Sequence, residues 1–230
     1  MSSDAGPHPE DRSFFAPERL PVLREAVTEL SWLMGRNYPT DGALRLVGDR
    51  HQLHGRQRLA VRRCACADEA RQARQRRRLS PADLRGKTLW IDGFNLLITL
   101  ATAQRGGLLL VGRDGAIRDI ASSHRLVLRS GEMLAPVAAL LAEAEPGEVC
   151  WVLDRPVSNS DRVGQMLVAF ATERGLSWSY RLEYNPDLFL IQRGGPAVTS
   201  DAMILDHELP WVDLLTPLVA GTPGAWTVAL

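Results

Sequence analysis

The chain has 230 residues, 45% of them hydrophobic and 23% charged, with 27 Lys/Arg against 27 Asp/Glu. That is the composition of an ordinary globular protein of one large or two modest domains, long enough to bury a real core. A membrane or secreted protein is not expected: the longest purely apolar stretch, Leu134 to Ala142, falls far short of the ~20 residues of a spanning helix, and Met1 to Arg12 lacks the apolar region of a signal peptide.

Cys64, Cys66 and Cys150 form no even framework and fit a reducing compartment, so a cytoplasmic location without a membrane partner is expected. The zero net charge conceals a division. Residues through Lys87 carry 17 Lys/Arg and 11 Asp/Glu, net +6, whereas residues from Thr88 onward carry 10 and 16, net −6. Lys87 is the single lysine. A GC-rich genome would also favour arginine, so placement carries more weight than residue type.

In chain order, residues 1–17 are polar and proline-bearing and read as a loose arm. Residues 18–80 read as a small basic helical module. Val22, Leu23, Ala26, Val27, Leu30, Leu33 and Met34 recur at helical spacing until Gly35. After a turn at Asn37-Tyr38-Pro39, Thr40 or Asp41 can cap a short helix ending at Gly48. A third, longer helix is expected from about Gly55 to Leu79, with Leu59, Val61 and Cys64 toward the core.

The basic charge is densest in that third helix, where Arg62, Arg63, Arg71, Arg74, Arg76, Arg77 and Arg78 are candidate nucleic-acid contacts that attract a polyanion by releasing its counterions. A solvated helix face would give the same pattern. A groove-reading helix-turn-helix has no marked base-contacting positions here. On the nucleic-acid reading, Gln at positions 74, 76, 77 and 78 weakens binding and hardly moves stability. His51, His54, Cys64 and Cys66 could be drawn as a zinc site, but residues two apart on a helix diverge, which disfavours it.

Residues 81–87 read as a linker, 88–215 as an α/β domain and 216–230 as an uninformative C-terminal tail. Thr88 to Asp92 is an apolar strand ending on a carboxylate, Gly93 permits a bend, and Asn95 follows either as a helix N-cap or as part of a site. A helix from about Asn95 to Ala103 leads to a hairpin of Leu108–Val111 and Ala116–Ile120 about Asp114-Gly115. Asp119 at its end is either a further acid of the site or a surface carboxylate.

A helix at 135–144 precedes the strand 149–153, which ends on Asp154. A helix at 161–174 and a strand at 176–182 follow. Asp187 comes after the break at Asn185-Pro186, and a short strand then runs into Thr199-Ser200-Asp201. Residues 211–215 read as a final strand. Parallel strands in α/β folds bind ligands at their carboxyl ends, so Asp92, Asp154 and Asp201 are expected along one edge.

Ile-Asp-Gly-Phe-Asn at 91–95, Val-Leu-Asp at 152–154, Pro-Asp-Leu-Phe-Leu at 186–190 and Val-Thr-Ser-Asp at 198–201 resemble, in order, the acidic motifs of PIN-like nucleases, especially the NYN branch. Gly42 to Arg50 resembles the helical module fused to such a domain in an uncharacterised family of bacteria and archaea. The resemblance covers about residues 88–215. It implies a Rossmann-like, PIN-type parallel sheet and a divalent-cation site with Asp92, Asp154, Asp187 and Asp201 as its acids and Asn95 and Ser200 as accompanying polar groups. The last motif departs from the pattern: Met203 stands where many relatives place a second acid, and Asp206 is the next carboxylate.

Carboxylates crowded at one edge raise one another's pKa unless a cation neutralises them, and oxygen ligands suit Mg²⁺ or Mn²⁺. Together with the resemblance, the expectation is a metal-dependent ribonuclease of PIN-like type, with RNA favoured over DNA and a homo-oligomer left open. The alternative is a non-catalytic RNA- or DNA-binding protein on a degenerate scaffold of the same type. No serine-nucleophile or phosphate-loop motif competes.

Overall fold

The computed structural model describes residues 8–120 and 133–230 of the chain. Its N-terminal helices are α1 (Asp11–Phe14), α2 (Leu20–Met34), α3 (Thr40–Arg50), α4 (Gly55–Cys64) and α5 (Asp68–Arg77). Strand β1 (Thr88–Asp92), helix α6 (Gly93–Gln104) and the strands β2 (Leu108–Val111) and β3 (Ile117–Asp119) follow. After α7 (Leu134–Ala144) come β4 (Glu148–Asp154), α8 (Ser160–Thr172), β5 (Trp178–Glu183), α9 (Pro186–Arg193), β6 (Ala197–Val198) and α10 (Ala202–Leu205). The chain finishes with β7 (Trp211–Val212), α11 (Leu215–Ala220) and β8 (Trp226–Ala229).

Five strands form one parallel sheet in the order β5-β4-β1-β6-β7. The apolar run of β1 lies at its centre because both faces are covered. Ile91, Trp151, Leu153, Val198 and Val212 face a large core shared with α6, α7, α8 and α11, while Val152 and Ala197 face a smaller one with Leu190 and Ile204 of α9 and α10. Helices on both faces of a parallel sheet make this a Rossmann-like α/β fold, and the strand carboxyl ends share one edge.

A second sheet, β3-β2-β8, is wedged between that domain and the helices. Alternation along β2 does the joining: Leu108 and Leu110 pack with Leu23, Val27, Leu30 and Val61 of the helical module, whereas Leu109 packs into the α/β core. The helical module therefore has no complete core of its own.

Several expectations change. Residues 8–17 are not a loose arm: Phe15 lies in the helical core, and Asp11, wholly buried, receives both Arg56 Nε and Arg56 Nη2, the latter at 2.7 Å. Residues 1–7 lie outside the described residues. The long third helix is two helices, broken at Ala65–Ala67. No glycine or proline marks the break, because tertiary partners make it: Cys66 N–H donates to Ser31 Oγ at 3.2 Å, Arg113 N–H donates to the Cys64 carbonyl at 3.0 Å, and Arg113 Nη1 donates to the Cys66 carbonyl at 2.9 Å.

The linker is anchored by Leu84, which is fully buried. Residues 216–230 are likewise no mere tail, since β8 pairs in parallel with β2 and Val228 enters the helical core. Among the described residues no helix is long and apolar enough to cross a membrane.

Candidate acidic site at the strand carboxyl edge

Asp92 closes β1, the middle strand of the larger sheet, and its side chain is delivered to the edge rather than to solvent: it is 7% exposed. Gly93 is needed next for close approach more than for a bend. A Cβ there would stand 2.4 Å from Leu153 Cδ2 and 2.9 Å from the Val152 carbonyl oxygen, so only glycine lets α6 start this close to β4. Thr199 Oγ1 donates to Asp92 Oδ2 at 2.8 Å and accepts from the Asp201 N–H at 3.0 Å, which ties the ends of β1 and β6 together.

The other three acids arrive from neighbouring elements. Asp154 ends β4, Asp187 sits in the first turn of α9 just beyond β5, and Asp201 caps α10, its Oδ1 accepting from the Met203 N–H at 2.7 Å. All three are half-buried. Burial pushes the Asp92 carboxyl up to about 7, with Asp187, Asp201 and Asp154 adding to the rise and the Thr199 hydrogen bond opposing it. Asp187 is also raised, by burial first and then by Asp201 and Asp154. The four acids thus share one electrostatic neighbourhood.

They are not drawn tightly together. Among the described residues, the three-membered group whose ligand atoms all lie within 4.8 Å of one another is Glu25, Glu29 and His51 in the helical module, not any trio of the edge acids. Direct coordination of one ion by three of these acids would require side-chain movement. Mg²⁺ commonly keeps several waters and takes one or two carboxylates, and that arrangement fits a looser ring of acids.

Asn95 and Ser200 serve this edge as a brace. Asn95 Oδ1 accepts from Ser200 N–H at 3.0 Å and from Ser200 Oγ at 3.1 Å, so Asn95 is not the helix cap; Asp92 occupies that position. A cleft of about 210 Å³ opens beside them, lined on one wall by Leu59, Arg62 and Arg63 of α4 and on the other by Asn95, Arg118, Asp119, Ser200, Asp201 and Ala202. Asp119 is 8% exposed and lies 3.3 Å from Thr99 Oγ1, so it belongs to this cleft and not to an outer hairpin surface.

The seven candidate arginines divide. Arg62 is exposed and pairs with Asp41 at 2.8 Å, Arg63 is half-buried, and both line the cleft. Arg76 is exposed, and Arg71 lies half-buried with Nη2 3.7 Å from Asp68. Arg74 is a correction: it is 2% exposed and clamped by Asp206, at 2.9 Å from Nε and 2.6 Å from Nη2, and by Asp114.

Arg77 Nη2 donates to the Leu205 carbonyl at 2.7 Å and Arg78 Nη2 to Asp213 Oδ2 at 2.7 Å. This part of the run fastens the helical module to the α/β domain, which accounts for some of the opposite charge of the two halves. Gln at 74, 77 and 78 would therefore cost stability, contrary to expectation. Asp206 is likewise taken up by Arg74 and does not replace the acid missing at Met203.

The zinc grouping does not assemble. His51 Nε2 lies 2.9 Å from Glu29 Oε2, the His54 ring stacks on Phe14 with centroids 4.8 Å apart, and burial pushes the Cys64 thiol up to about 12. All three cysteines are free. Sequence reading passed over Thr199 and Arg118. Thr199 stands inside the last acidic motif and could have been found there. Arg118, which donates from Nε to the Ser200 carbonyl at 2.7 Å and from Nη1 to the Arg63 carbonyl at 3.2 Å, carries no sequence signal beyond its place in a hairpin.

Fold and site together define a Rossmann-like α/β protein with an acidic strand edge, braced by a fused helical module. The chain belongs to the family described as domain of unknown function DUF5616, whose model matches residues 81–216. Residues 22–77 match a second family, protein of unknown function DUF434. An uncharacterized protein of Methanocaldococcus jannaschii is 24% identical over 193 residues, spanning 81% of this chain and 90% of that protein. No solved structure matches the chain.

Proposed function

We propose that this protein is a metal-dependent ribonuclease of PIN-like, NYN type, hydrolysing phosphodiesters at the edge defined by Asp92. One observation carries the reading: a buried carboxylate at the end of the central strand, raised to about 7 by burial first and then by three further carboxylates of the same edge, with no basic group among the causes that shift it. Such a grouping is costly unless something positive joins it. Asp92 and Asp187, with Asp154 and Asp201, would hold Mg²⁺ or Mn²⁺. The chemistry such an ion supplies is charge neutralisation at a phosphodiester and acidification of water.

The chain's own residues do the rest. Thr199 and Asn95 fix the ends of β1 and β6 against each other, and Arg62 and Arg63 present positive charge across the cleft from Asp201, where a phosphate can sit. A second reading, a non-catalytic nucleic-acid binder, is favoured by one feature: Asp206 is committed to Arg74, leaving Asp201 as the acid of the last motif that reaches the site.

Incubation of end-labelled single-stranded RNA and DNA with Mg²⁺, Mn²⁺ or EDTA separates the two. Metal-dependent cleavage that is lost in Asp92→Asn supports the nuclease. Metal-independent binding without cleavage by the wild type supports the second reading and ends the first.

A further inference from the structure

The carboxyl edge of the sheet has two ends. At β6 lies the arginine-lined cleft. At β5, roughly 14 Å away across three inter-strand spacings, the chain exposes Tyr184. The residue is 74% exposed, although an aromatic ring gains stability by burial.

A single exposed tyrosine is ordinary, but this one lies in a stretch of chain whose neighbours are fixed on both sides. It follows Glu183, which stands in register with Asp154, and the Arg155 N–H donates to the Glu183 carbonyl at 2.8 Å. The Arg155 guanidinium lies 5.0 Å from the Tyr184 ring centroid. On its other side Asn185 Oδ1 accepts from the Leu188 N–H at 3.0 Å, fixing the first turn of α9 that carries Asp187. A largely free ring, with a guanidinium beside it, thus follows the residue in register with Asp154 and precedes Asp187 by three positions. The neighbouring rings of Trp90 and Phe189 also carry Arg193, but both are half-buried against each other and serve packing.

We propose that Tyr184 is a base-stacking platform for single-stranded nucleic acid, with Arg155 beside it, so that the strand runs along the acidic edge from the Arg62–Arg63 cleft to this ring. The proposal rests on the reading of the edge as a nucleic-acid site. Every base offers a π face, so the platform is tolerant of sequence, and the flanking guanidiniums meet the backbone phosphates at either end.

The test is fluorescence anisotropy, in Mg²⁺, of a labelled ten-residue oligoadenylate RNA and of an abasic ribose-phosphate chain of equal length, both with cleavage-resistant phosphorothioate linkages so that the cation is kept and the strand stays intact. Tyr184→Ala should weaken oligoadenylate binding roughly five- to hundred-fold, Tyr184→Trp should preserve it, and neither should shift Tm. Wild type and Tyr184→Ala should bind the abasic chain equally. Equal loss on both ligands would assign the effect to charge or folding and overturn the stacking role. Unchanged oligoadenylate affinity in Tyr184→Ala, with affinity lost in Arg62→Gln/Arg63→Gln, would overturn the platform and leave the nucleic-acid site standing. No binding by the wild type would overturn both.

Discussion

Asp92 and Asp114 are both withdrawn from solvent, the first 7% exposed and the second with 1% of its side chain exposed, yet their surroundings push them in opposite directions. Burial alone would raise Asp114, but Arg118 and Arg74 outweigh it and hold the carboxyl below the ordinary range. Asp92 has no basic group to offset its burial: burial first, then Asp187, Asp201 and Asp154, raise it to about 7 against the opposing Thr199 hydrogen bond. At similar burial, the sign of the neighbouring charge distinguishes a carboxylate that fastens two parts of the protein from one whose burial goes uncompensated.

The largest effect that could break this contrast is expected at the fastened acid. Asp114→Ala leaves Arg74 and Arg118 buried without their shared counter-charge and should cost about 3–5 kcal/mol in urea unfolding; a cost under about 1 kcal/mol would deny the clamp its role. Because Asp114 is depressed in the folded state, its contribution is present above its ordinary value near 3.8 and is lost as pH falls through the folded value.

Asp92 should behave inversely. Its folded value of about 7 lies above the ordinary 3.8, so its contribution is complete below about pH 4 and is lost as pH rises through 7. In EDTA at pH 8, Asp92→Asn should be more stable than wild type by roughly 1–3 kcal/mol, a gain that shrinks toward pH 4. Thermal melts across that range check it, and a pH-independent difference would remove the electrostatic account.

A smaller shift is expected from metal. Mg²⁺ or Mn²⁺ at about ten times its Kd should stabilise wild type by about 1.4 kcal/mol and Asp92→Asn by much less. Equal shifts in the two proteins would place the ion elsewhere, with Glu25, Glu29 and His51 the alternative group to examine.

The smallest effect on stability should come from Arg76→Gln, below about 0.5 kcal/mol for an exposed helix position. If Arg76 contacts phosphate, the slope of log affinity against log salt should nonetheless become shallower by about 0.7 on a single strand. An unchanged slope would remove Arg76 from the phosphate contacts.

Much of this was legible in the residues. The runs at 88–91 and 149–153 are short, largely apolar and lead into an acid, so their strands and the position of the edge followed from local pattern alone. The alternation of Leu108, Leu109 and Leu110 marked a strand, but not that its two faces serve different cores, because identical side chains do not name their partners. The break between α4 and α5 was hidden for a related reason: distant donors and acceptors end the helix, not a residue within it. The arginine run misled most. Charge density is visible in a sequence, whereas the acids that take up Arg74 and Arg78, at 114, 206 and 213, lie far along the chain.

The parallel pairing of β8 with β2 reaches beyond architecture. Val228 and Leu108 share a core with Leu23 and Leu30, so the helices near one end of the chain close their interior with a strand near the other. Closing so long a loop has an entropic cost before any contact repays it, which slows folding and discourages stable partly folded forms. The helices and the α/β domain should therefore melt in one cooperative transition, and residues 18–80 cut out by themselves should collapse without settling into a fixed tertiary structure.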